Sequence, residues 1–151
     1  MGLLNVDNAV SGAAPIAPEI LRFFMSLGVP IYEGYGMTEN SAVATGNTPD
    51  KVKLGTVGTA QPGVEIKLAD DGEILVRHPG VFLGYYKNQE ATNEVLDEDG
   101  WLYTGDVGEF DGEFLKIVDR KKDIIITSGG KNVSPSELEN NIKTVSYTHL
   151  T

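Results

Sequence analysis

Four turn pairs, Pro62-Gly63, Asp71-Gly72, Asp99-Gly100 and Asp111-Gly112, divide the stretch from Thr56 to Val118 into short runs. Within those runs apolar and polar residues alternate with a period of two, which is the pattern of a half-buried strand. VEIKLADDGEILV therefore reads as a hairpin about Asp71-Gly72, and VGEFDGEFLKIV as a second about Asp111-Gly112. Between them Asn88 is placed to cap a short surface helix, QEATNEVL. Any fold for this chain must accommodate a β-rich block in its middle.

Upstream the period changes. Ile20, Phe24 and Leu27 form one helical stripe that stops at Gly28, a natural residue just past a helix end. Val29 to Tyr32 follows as a short apolar run, read as a strand leading into a Gly34-Tyr35-Gly36 turn. The opening is thus α/β, and open α/β sheets place ligands beyond the carboxyl ends of their strands. Downstream stand the charge cluster Asp119-Arg120-Lys121-Lys122-Asp123, the run Ile124-Ile125-Ile126 and a Gly129-Gly130 loop. Ser134 as N-cap, Pro135 at the first helical position and Glu137 at the third then open a helix. It runs about two turns before SYTHLT, which has no amphipathic continuation, so the residues after Lys122 are expected to exchange their amides quickly.

Composition narrows the chemistry. With 12 Lys and Arg against 22 Asp and Glu in 151 residues, the net charge of −10 disfavours a nucleic-acid partner. The absence of cysteine excludes disulfides, Cys-based zinc sites and thiol nucleophiles. The only histidines are His78 and His149, and His78, in front of Pro79, reads as an ordinary surface residue. Metal-hydrolase and Ser-His-Asp chemistry are therefore poor fits. No secretory signal or membrane-length apolar run is present, so a cytoplasmic setting is the expectation.

Several short motifs remain. Gly34-Tyr35-Gly36-Met37-Thr38-Glu39 is no dinucleotide fingerprint, because Glu39 occupies the third glycine position. Its glycines let a ligand approach the backbone, Tyr35 offers a stacking face, Thr38 a hydroxyl for a phosphate, and Glu39 a hard carboxylate suited to Mg²⁺. In Tyr103-Thr104-Gly105-Asp106 the carboxylate can accept from two sugar hydroxyls. Arg120 can bridge a ribose or a phosphate with its fixed donors. Thr127-Ser128-Gly129-Gly130-Lys131 lacks Walker spacing. Taken singly, each motif reads first as an ordinary turn or a solvated charge run.

Taken together they read otherwise. SGAAP (Ser11 to Pro15), YEGYGMTE (Tyr32 to Glu39), GEILVRHPGVFLGYY (Gly72 to Tyr86), WLYTGDVGEF (Trp101 to Phe110) and DRKKDIIITSGGKNVSPSELEN (Asp119 to Asn140) resemble, in order, successive motifs of the adenylate-forming (AMP-binding) superfamily. TSGGKNVSP is similar to the fatty acyl-CoA synthetases of medium- to long-chain type. The resemblance implies an α/β and β-rich fragment of that fold, with 1–118 from the large AMP-binding domain, 119–123 as hinge and 124–151 as the start of the small C-terminal domain. It implies an AMP-forming acyl-CoA ligase that joins a carboxylate to AMP and then to CoA, using fatty acid, ATP, Mg²⁺ and CoA. The parent's contact with a membrane surface would be peripheral, and its oligomeric state stays open.

By the same resemblance, Gly34, Tyr35 and Gly36 would line the adenine and acyl-adenylate site, Thr38 would contact phosphate and Glu39 would hold Mg²⁺, the last two being the catalytic candidates. Asp106 and Arg120 would bind the ribose, and Ser11, Gly12 and Ala13 would wall the substrate pocket. Lys122 would be the hinge residue, with Gly129 and Gly130 on the CoA path. The family's Pro-Lys-Gly phosphate loop and its C-terminal catalytic Lys do not occur in the chain, so an internal fragment, inactive alone and ending in an unrelated SYTHLT read-through, is expected. The rival readings are another adenylate-forming ligase, a non-catalytic nucleotide- or acyl-binding module of the same fold, and a β-rich interaction domain.

Overall fold

The structure is a computed structural model, and it describes residues 6–126, 132–135 and 138. Strand β1 (Ala9–Ser11), helix α1 (Pro18–Ser26) and strand β2 (Ile31–Tyr35) form a βαβ unit with the strands parallel, Val10 opposite Tyr32. Pro18 opens α1 where no intrahelical N–H is needed, and Gly28 closes it with φ of 77°. The apolar stripe is offset from the one expected. Leu21 is fully buried, while Ile20 and Leu27 are 45% and 50% exposed. Helix α1 contacts β2, and the face it buries centres on Leu21, one residue along from the Ile20-Phe24-Leu27 line.

Gly34 and Tyr35 are strand residues rather than a turn. They pair antiparallel with Gly46 and Thr45 of β3 (Thr45–Gly46), which in turn pairs with β4 (Thr59–Ala60). A side chain on Gly34 would lie 3.2 Å from the Thr45 carbonyl, so glycine permits the close approach. The chain turns just beyond, through Gly36 and a 3₁₀ turn at Thr38–Asn40. Buried Asn40 holds that turn by accepting the Met37 N–H at 2.8 Å.

The alternating block forms a four-stranded antiparallel sheet of β5 (Glu65–Leu68), β6 (Glu73–Arg77), β7 (Leu102–Asp111) and β8 (Phe114–Arg120). Both expected hairpins are present, with Gly72 and Gly112 at φ of 84° and 67° in their turns. Helix α2 (Gln89–Val95) fills the β6–β7 connection, and Asn88 caps it by accepting the Ala91 N–H at 3.1 Å. Strand β7 starts earlier than alternation suggests, so Tyr103 to Asp106 lie within it.

The two sheets are joined where the segment before β4 runs along β8: Val57 N–H donates to the Leu115 carbonyl and Leu115 N–H to that of Gly58, both at 2.8 Å. Ile74, Val76, Leu115 and Ala44 are fully buried there, with Tyr35, Val57, Ile66 and Ile117 packed around them.

After β8, β9 (Ile125–Ile126) pairs with β10 (Asn132–Val133). Ser134 is buried, and its hydroxyl donates to Asp119 Oδ2 at 2.6 Å. Its expected capping partner Glu137 lies outside the described residues. A two-stranded ladder with Ile125 57% exposed has little apolar burial to resist opening. The Ile125 amide is therefore expected to exchange much faster than that of Leu115, measured by hydrogen exchange; equal protection would contradict this packing.

Candidate functional site

Three strands deliver one polar chain. Asp106 on β7 and Arg120 on β8 are direct cross-strand partners, and β2 brings Tyr35 beside them. The Tyr35 hydroxyl donates to Asp106 Oδ2 at 2.7 Å, and Arg120 Nε stands 3.2 Å from Oδ1. The Asp106 residue is only 8% exposed, whereas the Arg120 side chain is 64% exposed and reaches into solvent. Burial, reinforced by the Asp106 charge, pushes the Tyr35 hydroxyl far above its usual range although the contact with Thr104 opposes this, so Tyr35 stays a donor. Asp106 Oδ2 accepts from Tyr35 while Oδ1 faces the Arg120 guanidinium as an ion pair, and since a carboxylate offers about four lone-pair positions both oxygens keep capacity for a ligand donor.

An open cleft of about 750 Å³ lies alongside, walled by Glu39, Tyr85, Thr104, Gly105, Arg120 and Lys121 among others. That volume suits a small organic ligand. Glu39 is held from the loop after β6: Oε1 accepts the Tyr85 hydroxyl at 2.9 Å and the backbone carbonyl accepts the Phe82 N–H at 2.7 Å. Burial, then the Glu39 carboxylate, raises Tyr85 above its ordinary value. Among the described residues no group of three or more His, Cys, Asp or Glu is arranged to hold a metal ion. With no such group at Glu39, its carboxylate fits Mg²⁺ only as a cation that arrives on a ligand's phosphates, the usual habit of that ion.

The expected site residues divide. Tyr35, Asp106 and Arg120 come together, and Glu39 and Arg120 share the cleft. Thr38 is exposed on the 3₁₀ turn next to Glu39. Gly34 and Gly36 serve chain packing: a side chain on Gly36 would fall 2.3 Å from Ala42 backbone carbon. Ser11 pairs with Glu33, Gly12 lies against the Gly34 carbonyl and Ala13 adopts φ of 67°, while the cleft is walled by other residues. Lys122 is exposed in the tight turn that returns Asp123 N–H to the Arg120 carbonyl at 2.9 Å. Gly129 and Gly130 lie outside the described residues.

His78 is not the plain surface residue expected. It is half-buried, its Nδ1 accepts the Gly80 N–H at 3.0 Å, and Nε2 is buried with no partner among the described residues. The cause is the chain's return at Gly80, which packs against the ring so closely that a side chain there would meet Cε1 at 2.8 Å.

Sequence reasoning also missed Glu73 and Lys121. Lys121 Nζ lies 2.7 Å from both Glu73 Oε2 and Asp71 Oδ2, and these bonds raise its pKa well above the usual lysine value while holding the Asp71 carboxyl below its own. The available signal was a Glu at the head of an apolar strand run, which alternation alone assigns to solvent.

Residues 3–86 match the family described as AMP-binding enzyme. The chain is 53% identical over 143 residues to fadD11 of Mycobacterium tuberculosis, a fatty-acid–CoA ligase by assignment, covering 94% of this chain and 25% of that protein. It is 46% identical over 140 residues to the long-chain-fatty-acid–CoA ligase FadD15 of the same organism, covering 92% and 23%. The chain thus spans about a quarter of the length of these relatives. Among solved structures it resembles the O-succinylbenzoate coenzyme A synthetase of Bacillus subtilis in complex with ATP and a magnesium ion, with a TM-score of 0.81 at 33% identity, covering 89% of this chain and 30% of that one.

Proposed function

The chain belongs to the AMP-binding enzyme family, and we propose that it supplies the ribose contacts and the phosphate-side carboxylate of an ATP-dependent fatty acyl-CoA synthetase. The observation that carries the reading is the Tyr35–Asp106–Arg120 chain: a buried carboxylate, fixed from two sides, beside a cleft of ligand size. The fatty-acid–CoA ligase names of fadD11 and FadD15 support the substrate class. In the same proposal, residues 1–118 belong to the large domain, 119–123 to the hinge about Lys122 and 124–151 to the small domain, with Gly129 and Gly130 on the CoA path and Ser11 to Ala13 near the acyl group. The partners are small molecules: fatty acid, ATP and CoA. Among the described residues no helix is long and apolar enough to cross a membrane, and the proposal places the enzyme in the cytoplasm, its contact with membranes peripheral.

The reaction would run in two steps. A fatty carboxylate oxygen attacks the α-phosphorus of ATP, forming acyl-AMP and expelling pyrophosphate. The CoA thiol then attacks the acyl carbonyl, expelling AMP and losing its proton. Asp106 would accept both ribose hydroxyls, Tyr35 would hold Asp106 in place, and Arg120 would donate to the ribose from the solvent side. Thr38 would offer its hydroxyl to a phosphate oxygen. Mg²⁺, bound with ATP and facing Glu39, would neutralise phosphate charge; the rest is positioning, which carries much of such catalysis.

The test is pyrophosphate release by a protein that contains this segment. Release is expected to depend on a long-chain fatty acid, and Glu39→Gln is expected to lower it roughly tenfold at limiting Mg²⁺, with partial recovery in excess metal. Release without fatty acid would overturn the substrate class. An unchanged rate in Glu39→Gln at limiting Mg²⁺ would remove Glu39 from the phosphate site.

A further inference from the structure

Asp106 stands on an irregular stretch of its strand. Glu73 pairs with Val107 and Leu75 with Tyr103, so three residues of β7, Thr104 to Asp106, face the single residue Ile74 of β6. Such bulges re-aim side chains and leave backbone groups without ladder partners. Side chains from both strands supply those partners here. Thr104 Oγ1 donates to the Ile74 carbonyl at 2.8 Å, and Gly105 N–H donates to Glu73 Oε1 at 2.9 Å.

The Gly105 carbonyl accepts the Lys121 N–H at 2.8 Å, and the Lys121 side chain turns back to place Nζ 2.7 Å from Glu73 Oε2. Glu73, Gly105 and Lys121 therefore close a ring of three hydrogen bonds. Two of its members are chain neighbours of Asp106 and Arg120. Asp71 braces the ring by accepting the Glu73 N–H at 3.1 Å and by its contact with Lys121 Nζ. Glu73 is only 5% exposed and is followed by fully or almost fully buried Ile74, Leu75 and Val76. What Glu73 holds, by accepting from Gly105 and Lys121, is the bulged stretch that carries Asp106 and the strand end that carries Arg120.

We infer that Glu73 is a positioning residue of the ribose site: by tying the β7 bulge at Gly105 to Lys121, it fixes the aim of Asp106 and Arg120 at one ligand. The inference rests on the ribose role proposed for Asp106, and its test separates the two. In a protein containing this segment, KM for ATP and for 2′,3′-dideoxy-ATP is measured for Glu73→Ala, Glu73→Gln, Asp106→Ala and the double variant of Glu73→Ala with Asp106→Ala. Glu73→Ala is expected to raise KM for ATP about tenfold with little change in kcat, to spare the dideoxy nucleotide, and to add nothing once Asp106 is gone. Glu73→Gln keeps an acceptor for Gly105 and should recover part of the loss.

Equal penalties on both nucleotides, or additive penalties in the double variant, would make Glu73 merely structural and overturn the inference. If Asp106→Ala itself fails to distinguish the nucleotides, the ribose reading falls and this inference with it. Should Glu73→Ala not fold, Lys121→Met opens the same ring from a half-exposed side chain. It must show the same selectivity for ATP, and equal KM changes for both nucleotides would count against Glu73.

Discussion

Asp106→Ala is expected to weaken ATP binding about ten- to hundredfold in a protein that contains this segment, as loss of a charged acceptor for two hydroxyls is worth roughly 1.5–3 kcal/mol. The carboxylate is buried and already oriented by Tyr35 and Arg120, so little ordering is left for the ligand to impose. Nucleotide titration by calorimetry gives the affinity directly. A nucleotide without ribose hydroxyls should bind wild type and variant alike; a penalty of the same size on that ligand would show that the substitution disturbs the cleft and not the sugar contact. Tyr35→Phe removes the hydrogen bond and leaves the Arg120 ion pair to orient Asp106, and should produce a smaller loss of the same selectivity.

The largest stability effect is expected at Gly58. Its φ is 84°, and a side chain there would lie 1.9 Å from the carbonyl carbon of Gly46 and 2.1 Å from its oxygen, at the seam where Gly58 also accepts the Leu115 amide. The clash is with backbone, which no rotamer change relieves. Gly58→Ala should therefore cost upward of about 4 kcal/mol, a large part of the stability of an ordinary small domain. Gly112→Ala is the control: φ is 67° there but nothing lies within 4 Å, so about 1 kcal/mol is expected from backbone strain alone. Denaturant midpoints measure both. Similar losses at the two sites would mean that the chains do not approach at Gly58 as closely as described.

What was legible in the sequence was local. Turn pairs and alternation located both hairpins, and Asn88 announced α2, because those patterns involve residues close in the chain. Gly34 and Tyr35 were misread as part of the turn at Gly36 because what makes them strand is β3, whose short pairing segment carries no periodicity. The helix stripe was misplaced for a related reason: α1 has apolar residues on several sides, and tertiary packing buries Leu21 among them. Within the candidate site, chemistry and motifs singled out Asp106 and Arg120, which the structure pairs across one hairpin. Glu73 and Lys121 were not, since a carboxylate buried by a bulge and a lysine folded back onto it look like surface charges in the sequence.

The two halves of the polar chain also differ in how far apart they lie along the polypeptide. Asp106 and Arg120 are fourteen residues apart across one hairpin, while Tyr35 reaches Asp106 over a separation of 71. A hairpin closes in about 1–10 μs, and contacts of long sequence separation form more slowly because a larger loop must first be closed. The acid–guanidinium pair is thus able to assemble before the phenol arrives, and docking of β2 becomes the event that completes it. The Tyr35 hydroxyl accordingly marks the moment at which the βαβ unit joins the antiparallel sheet.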